Sequence, residues 1–187
     1  LSFRKGNPFL NPQYSNKIEL SHTYKYATTL SVGYSRTEDF FAQIADTIPG
    51  GKSFLSPQNL ATEDVISINL STSQQPTPWY GVYFNGSVIN QAYDADFGEG
   101  KTINTSIVSV NFYAQNTFKL PKGFTFELSG WYNSGGVWGG SYKTEPTGSV
   151  DVGLQKKMLG DRATLKISAT DIFLTSPWKS INTYAGI

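Results

Sequence analysis

Thr117–Gly136, TFKLPKGFTFELSGWYNSGG, reads as two long strands joined at a very short turn, Leu120-Pro121-Lys122-Gly123. After the turn, Phe124, Phe126, Leu128, Gly130 and Tyr132 share one parity, and Thr125, Glu127, Ser129, Trp131 and Asn133 share the other. A period of two suits a strand and no helix. Before the turn the pattern runs backwards. Val108, Val110, Phe112, Ala114 and Phe118 alternate with Ser109, Asn111, Gln115, Thr117 and Lys119. The apolar parity ends in aromatics, and the other stays polar for longer than an ordinary strand. Repeated on strand after strand, this is the pattern of a transmembrane β-barrel with lipid outside and water inside.

Working outward from that hairpin, six more strands follow the same rule. Toward the N-terminus they are expected at about Tyr14–Lys25, from Thr28 (continuing through Phe40–Ile44), from about Ser53 with a break near Pro57 and a clear stretch at Val65–Ser73, and at Trp79–Asn90. Toward the C-terminus, Val150, Val152 and Leu154 mark one strand, and Leu165, Ile167 and Ala169 the last. Phe3–Gln13 carries Gly6-Asn7-Pro8 and Asn11-Pro12 and reads as a loop. Asp94–Gly100 and Ser134–Gly148 read as loops too.

The connections sort by length. Lys25-Tyr26, Gln75–Pro78, Leu120–Gly123 and Leu159–Asp161 are short, and the joints between them are longer and richer in Gly and Asp. Short turns on one side and long loops on the other belong to an up-and-down outer-membrane barrel. A Greek-key sandwich gives no reason for that sorting. The expected fold is therefore all-β: an antiparallel up-and-down transmembrane β-barrel of about eight strands with nearest-neighbour pairing.

Composition bounds the alternatives. The 187 residues include no Cys and one His, with a net charge of +1. Mean hydropathy is −0.30, which a barrel tolerates because only alternate residues need be apolar. No stretch is long and apolar enough for a spanning helix. Scattered Lys and Arg with near-zero net charge argue against nucleic acid as a partner. Without Cys there is neither a disulfide scaffold nor a thiolate metal site.

Gly6-Asn7-Pro8-Phe9-Leu10-Asn11-Pro12-Gln13-Tyr14-Ser15-Asn16-Lys17-Ile18-Glu19-Leu20 resembles the outer-membrane β-barrel family of TonB-dependent receptors, in which a GNP-x-L-x-P-(E/Q)-x-S-x-x-x-E-L run leads from an external loop into a descending strand. Leu120–Asn133, Gly153–Arg162 and Asp171-Ile172-Phe173 are similar to later parts of that family's barrel, in the same order. The resemblance implies the C-terminal part of a barrel of about 22 strands. Residues 1–187 are then a single barrel segment, lacking the plug domain, the TonB box and the last strands. It implies the bacterial outer membrane as location and uptake of a nutrient ligand as function. The implied partners are membrane lipid, the remainder of the barrel and its plug, and a TonB-type energy-coupling protein reached through the missing N-terminal part. The alternatives are a complete eight-stranded outer-membrane barrel with a structural or adhesive role, and a soluble carbohydrate-binding β-sandwich.

The parity assigns faces. Ile18, Leu20, Leu30, Val32, Val82, Phe84, Phe126, Leu128, Leu165 and Ile167 are expected to face lipid. Glu19, Glu127, Ser129, Lys166 and Ser168 are expected to face the lumen. Tyr24, Tyr34, Tyr80, Phe124 and Tyr132, at strand ends with apolar parity, suit an interfacial aromatic girdle; ordinary sheet packing is the plainer reading. Trp131 and Trp138, off that parity or in a loop, either contact a substrate or fill space.

Sites of chemistry are few. No nucleophile–base–orienter set can be assembled, so no enzyme activity and no cofactor are expected. His22 reads as an interfacial or packed histidine. Asp94, Asp96 and Glu99 have the aspartate spacing of a calcium loop without its remaining ligands, and a solvated loop is the plainer reading. For Lys156-Lys157 and Arg162 at a short turn, a solvated rim is favoured over binding of lipid headgroups.

Overall fold

The computed structural model describes residues 2–4, 6–48, 52–59, 62–96, 102–138, 142–176 and 180–182. Its strands are β1 (Ser2–Arg4), β2 (Tyr14–Tyr24), β3 (Thr28–Glu38), β4 (Phe41–Ile48), β5 (Lys52–Asn59), β6 (Thr62–Thr77), β7 (Tyr80–Asp96), β8 (Thr102–Leu120), β9 (Phe124–Asn133), β10 (Gly136–Trp138), β11 (Tyr142–Thr144), β12 (Thr147–Met158), β13 (Ala163–Ala169) and β14 (Ser180–Asn182). Among the described residues the one helical piece is the 3-10 turn Pro121–Gly123.

Eight strands form one sheet in the order β13-β12-β9-β8-β7-β6-β3-β2, each beside the next strand of this sheet along the chain. Every pair in it is antiparallel. That is the expected up-and-down order. The sheet is open: β2 and β13 are its two edges and do not pair with each other.

The register carries the parity across the whole sheet without slipping. Leu20 pairs with Val32, Val32 with Ile68, Ile68 with Val88, and Val88 with Val110. Further along, Phe118 pairs with Phe126, Phe126 with Leu154, and Leu154 with Ile167. One slipped residue would turn a strand's apolar set to the other face. The single irregularity, a bulge between Gln74 and Thr77, falls at a strand end beside the turn.

The turns explain how the chain reverses so tightly. Lys25 and Tyr26 both take positive φ, 48° and 55°, and the Ala27 N–H donates to the Tyr24 carbonyl at 3.1 Å. At the β8–β9 turn Lys122 (62°) and Gly123 (75°) do the same after Pro121. Left-handed positions match the twist of antiparallel strands, which is why such turns close hairpins. A Cβ on Gly123 would lie 3.2 Å from the Lys157 carbonyl, so this turn packs directly on β12.

Several expected boundaries are corrected. Strand β3 does not run on through Phe40: Asp39 takes a φ of 52°, and β4 leaves to pair with β5 in a second sheet. Pro57 does not break its strand but pairs with Gln43 inside β5, while its carbonyl accepts from Asn7 Nδ2 at 3.1 Å. The stretch read as an entry loop contains β1, which pairs in parallel with β5; this is a parallel pair where only antiparallel ones were expected, outside the main sheet. Strand β6 extends to Thr77, so the reversal expected at Gln75–Pro78 centres on Pro78 and Trp79. The loop expected at Asp94–Gly100 begins later, because β7 continues to Asp96, with Asp94 opposite Asn104. The loop between β9 and β12 contains the β10–β11 hairpin, on whose far side β14 pairs.

Candidate functional site: the two faces of the sheet

Burial on the main sheet is inverted relative to a soluble sheet. Ile66 and Ile68 are half exposed at 50% and 47%, while Ser67 between them is less so. Thr37, Ser109 and Ser149 are buried at 6%, 8% and 7%, all on the polar parity. Among the described residues Tyr93 is the one buried hydrophobic.

All ten residues of the expected lipid-facing set fall on one face. The pairs Ile18–Tyr34, Leu20–Val32 and Leu30–Leu70 place the first four. Val82 and Phe84 join through Gln74 and Thr72, Phe126 and Leu128 through Phe118 and Asn116, and Leu165 and Ile167 through Lys156 and Leu154. Glu19, Glu127, Ser129, Lys166 and Ser168 fall on the opposite face.

The five expected girdle residues all stand on the apolar face, at two levels. Tyr24, Tyr80 and Phe124 flank short turns, and Tyr34 and Tyr132 lie toward the long-loop ends. Near the short turns the rings form a chain, with Tyr80–Phe118 centroids 5.1 Å apart and Phe118–Phe126 6.0 Å apart. Toward the other end Phe112 lies 5.6 Å from Tyr132. Polar handles sit at these borders, as rings at an interface require. Tyr80 Oη donates to Asn116 Oδ1 at 2.8 Å, and Tyr34 Oη to Asp64 Oδ1 at 2.6 Å. Arg36 Nη1 reaches the other oxygen of Asp64 at 3.5 Å. At the short-turn border, Lys156 Nζ lies 4.6 Å from the Phe124 ring centroid and Lys25 Nζ 5.2 Å from that of Tyr24.

The polar face is stitched by small hydroxyls. Between β2 and β3, Ser15–Thr37, Ser21–Ser31 and Thr23–Thr29 are hydrogen-bonded at 3.0–3.1 Å. Two ion pairs lie on this face: Lys17 with Glu19 at 2.7 Å, and Lys166 with Glu127 at 3.8 Å. Asp151 accepts from Ser149 Oγ and from the Asp171 N–H, each at 2.7 Å.

Sequence reading missed an aromatic platform on this face. Tyr83 and Tyr113 rings lie 6.0 Å apart, Trp131 pairs in register with Tyr113, and Tyr113 Oη donates to Gln115 Oε1 at 2.9 Å. Beside it a groove of about 350 Å³ is lined by Ser73, Gln74, Tyr83, Gln115, Thr117 and Lys119 among others. The signal was present as tyrosines at polar parity, but only the register across β7, β8 and β9 brings them together.

Other candidates are placed as follows. His22 is exposed on the apolar face opposite Leu30. Asp94 and Asp96 belong to β7, and Glu99 lies outside the described residues, as do residues 139–141 following Trp138. Among the described residues no three His, Cys, Asp or Glu side chains gather as a metal site.

An open, register-true sheet with an exposed apolar face, aromatic borders and a polar second face is what a membrane barrel wall requires. A family model described as the outer membrane protein beta-barrel family matches residues 1–187. No curated protein and no solved structure matches the chain. Its place is the bacterial outer membrane, in lipid, and the chain belongs to the outer membrane protein beta-barrel family.

Proposed function

We propose that this chain is part of the wall of a TonB-dependent receptor barrel that takes up a nutrient ligand. The apolar face meets lipid, and the polar face meets a hydrated interior and a plug. The observation that carries the reading is the open sheet, whose edge strands β2 and β13 do not pair with each other. Gly33, Ser67, Ser109 and Ser149 on the polar face, interspersed with the larger Tyr83, Tyr113 and Trp131, favour a wide interior over the side-chain-packed axis of a narrow eight-stranded barrel. Lipid offers no hydrogen bonds to a bare strand edge. Further strands therefore pair with β2 and β13, completing a wide barrel around a plug. The motifs at Gly6–Leu20, Leu120–Asn133 and Asp171–Phe173 support the receptor assignment. Tyr83, Tyr113 and Trp131 supply a platform inside that barrel for a ligand in transit or for the plug. No catalytic step is assigned to any residue.

Ligand accumulation by cells carrying the full protein, with and without the energy-coupling protein, tests this. Loss of accumulation without the coupling protein is expected, and unchanged accumulation would contradict it. The narrow-barrel alternative makes a separate claim: cysteines replacing Leu20 and Ile167 would then crosslink across a β2–β13 seam. In the wide barrel they stay apart.

A further inference from the structure

We propose that the short-turn rim formed by the β8–β9 turn and the end of β12 binds the headgroup phosphate of an anionic glycerophospholipid. The proposal rests on the reading that the apolar face meets lipid, and adds a ligand and a site to it.

Lys156 is on the apolar face, in register with Phe124 and Leu165. Its ammonium lies over the Phe124 ring rather than extended away from the sheet. The attraction between a cation and a ring face holds the charge at the border of the apolar band, the level of headgroups. The tight turn sets Lys122 at the same level, and Lys157, which has the parity of the polar face, adds its charge at the turn end of β12. Gly123 abuts Lys157, which sets Lys122 of the turn beside the end of β12. Among the described residues, the one carboxylate within 4 Å of these three lysines is Asp161, which stands 3.7 Å from Lys157 with both side chains more than half exposed. That pair is screened by water and leaves most of the positive charge uncompensated.

The net charge of +1 conceals this concentration, because acids gather at the other end of the strands. Glu38, Glu63, Asp64 and Asp94 lie at the long-loop ends of β3, β6 and β7. Lys25 over Tyr24 repeats the device at the short-turn end of β2. A zwitterionic headgroup carries its own cation beside the phosphate and gains little from such a rim. An anionic headgroup lacks that cation, and each nearby Lys contributes about 1 kcal/mol, roughly fivefold in affinity, to its attraction. Short turns face the periplasmic leaflet, so the source is a glycerophospholipid and not a lipopolysaccharide.

The full protein, placed in bilayer discs holding equal phosphatidylglycerol and phosphatidylcholine, is released and its retained lipids are counted by native mass spectrometry. Preferential retention of phosphatidylglycerol is expected. Lys156→Gln should lower the preference about fivefold, and Lys122→Gln with Lys157→Gln added should abolish it. Phe124→Leu should lower it without changing any charge. Lys17→Gln, which removes one charge at the far end of β2, should leave it intact. Heat-modifiable gel migration confirms that each variant is folded. Equal retention of the two lipids by the wild type, an unchanged ratio in the triple variant, or an equal loss in Lys17→Gln would overturn the proposal. If neither lipid is retained, the lipid-facing reading falls, and the rim site with it.

Discussion

Ser109 and Val110 are neighbours in β8, and the serine is 8% exposed while the valine is 36% exposed. The relationship recurs along β3 and β6 and inverts what a water-soluble sheet shows. Burial of apolar area drives soluble folding at about 25 cal/mol per Å², and this sheet leaves that area open on one side. Lipid is the solvent that makes such a surface stable, since its chains are as apolar as the side chains they meet.

Placing a charge on each face should therefore cost very different amounts. Val32 is in the middle of the apolar stretch of β3, and Ser31 faces the other way, in register with Ser21. Val32→Lys is expected to destabilise the protein by about 2–4 kcal/mol, as a cation near the bilayer midplane does, and Ser31→Lys by much less. Urea-dependent folding into lipid vesicles measures both, and equal costs would count against the face assignment.

Asn59 acts as a clip on the long-loop side. Its Oδ1 accepts from the Asn11 N–H at 2.8 Å, and its Nδ2 donates to the carbonyls of Asn11 (3.1 Å) and Asp39 (2.6 Å). Each bond contributes about 1 kcal/mol net. Asn59→Ala should raise protease cleavage within residues 6–13 about tenfold or more, a local opening that leaves the main sheet folded. Unchanged cleavage would show that other contacts hold this segment.

Acid should loosen the turn after β13, which lies outside the spanning strands. The Thr175 N–H, bonded to Asp171 Oδ1 at 2.8 Å, holds the Asp171 carboxyl below its ordinary value of 3.8, helped by the Ser176 N–H at 3.2 Å and opposed by desolvation. A lowered folded-state pKa means a contribution fully present above the ordinary value and lost as pH falls through the lowered one. Protection of the Thr175 and Ser176 amides from hydrogen exchange should hold at neutral pH and fall below about pH 4. In Asp171→Asn the protection should lose that pH dependence. A wild-type profile flat down to pH 2 would contradict the assignment.

The faces and strand order were legible because parity is local: Phe124 to Tyr132 shows its period with no knowledge of neighbours. Register then follows, since a slipped strand would expose the wrong set. What escaped reading depends on contacts distant in sequence. Asp39 tolerates a left-handed φ better than most residues, but nothing local shows that its turn sends β4 into another sheet. Asp94 and Asp96 are poor strand formers, and their pairing with Asn104 and Thr102 overrides that preference. Lys156 read as a solvated rim residue, because nothing local in the chain shows that Phe124 lies beneath it.

The account stands on the direction in which two adjacent residues of β9 point. Leu128 is in register with Asn116 and Val152 on the apolar face, and Ser129 with Gln115 and Asp151 on the polar face. Nitroxide labels on cysteines at these positions, in the full protein in lipid bilayers, can be exposed to oxygen, which concentrates in lipid, and to a water-soluble nickel chelate. The label at Leu128 should relax with oxygen and ignore the chelate, and the label at Ser129 should respond to the chelate. Equal shielding of the Leu128 label from both reagents would mean a dry protein core behind that face, and would contradict the barrel wall.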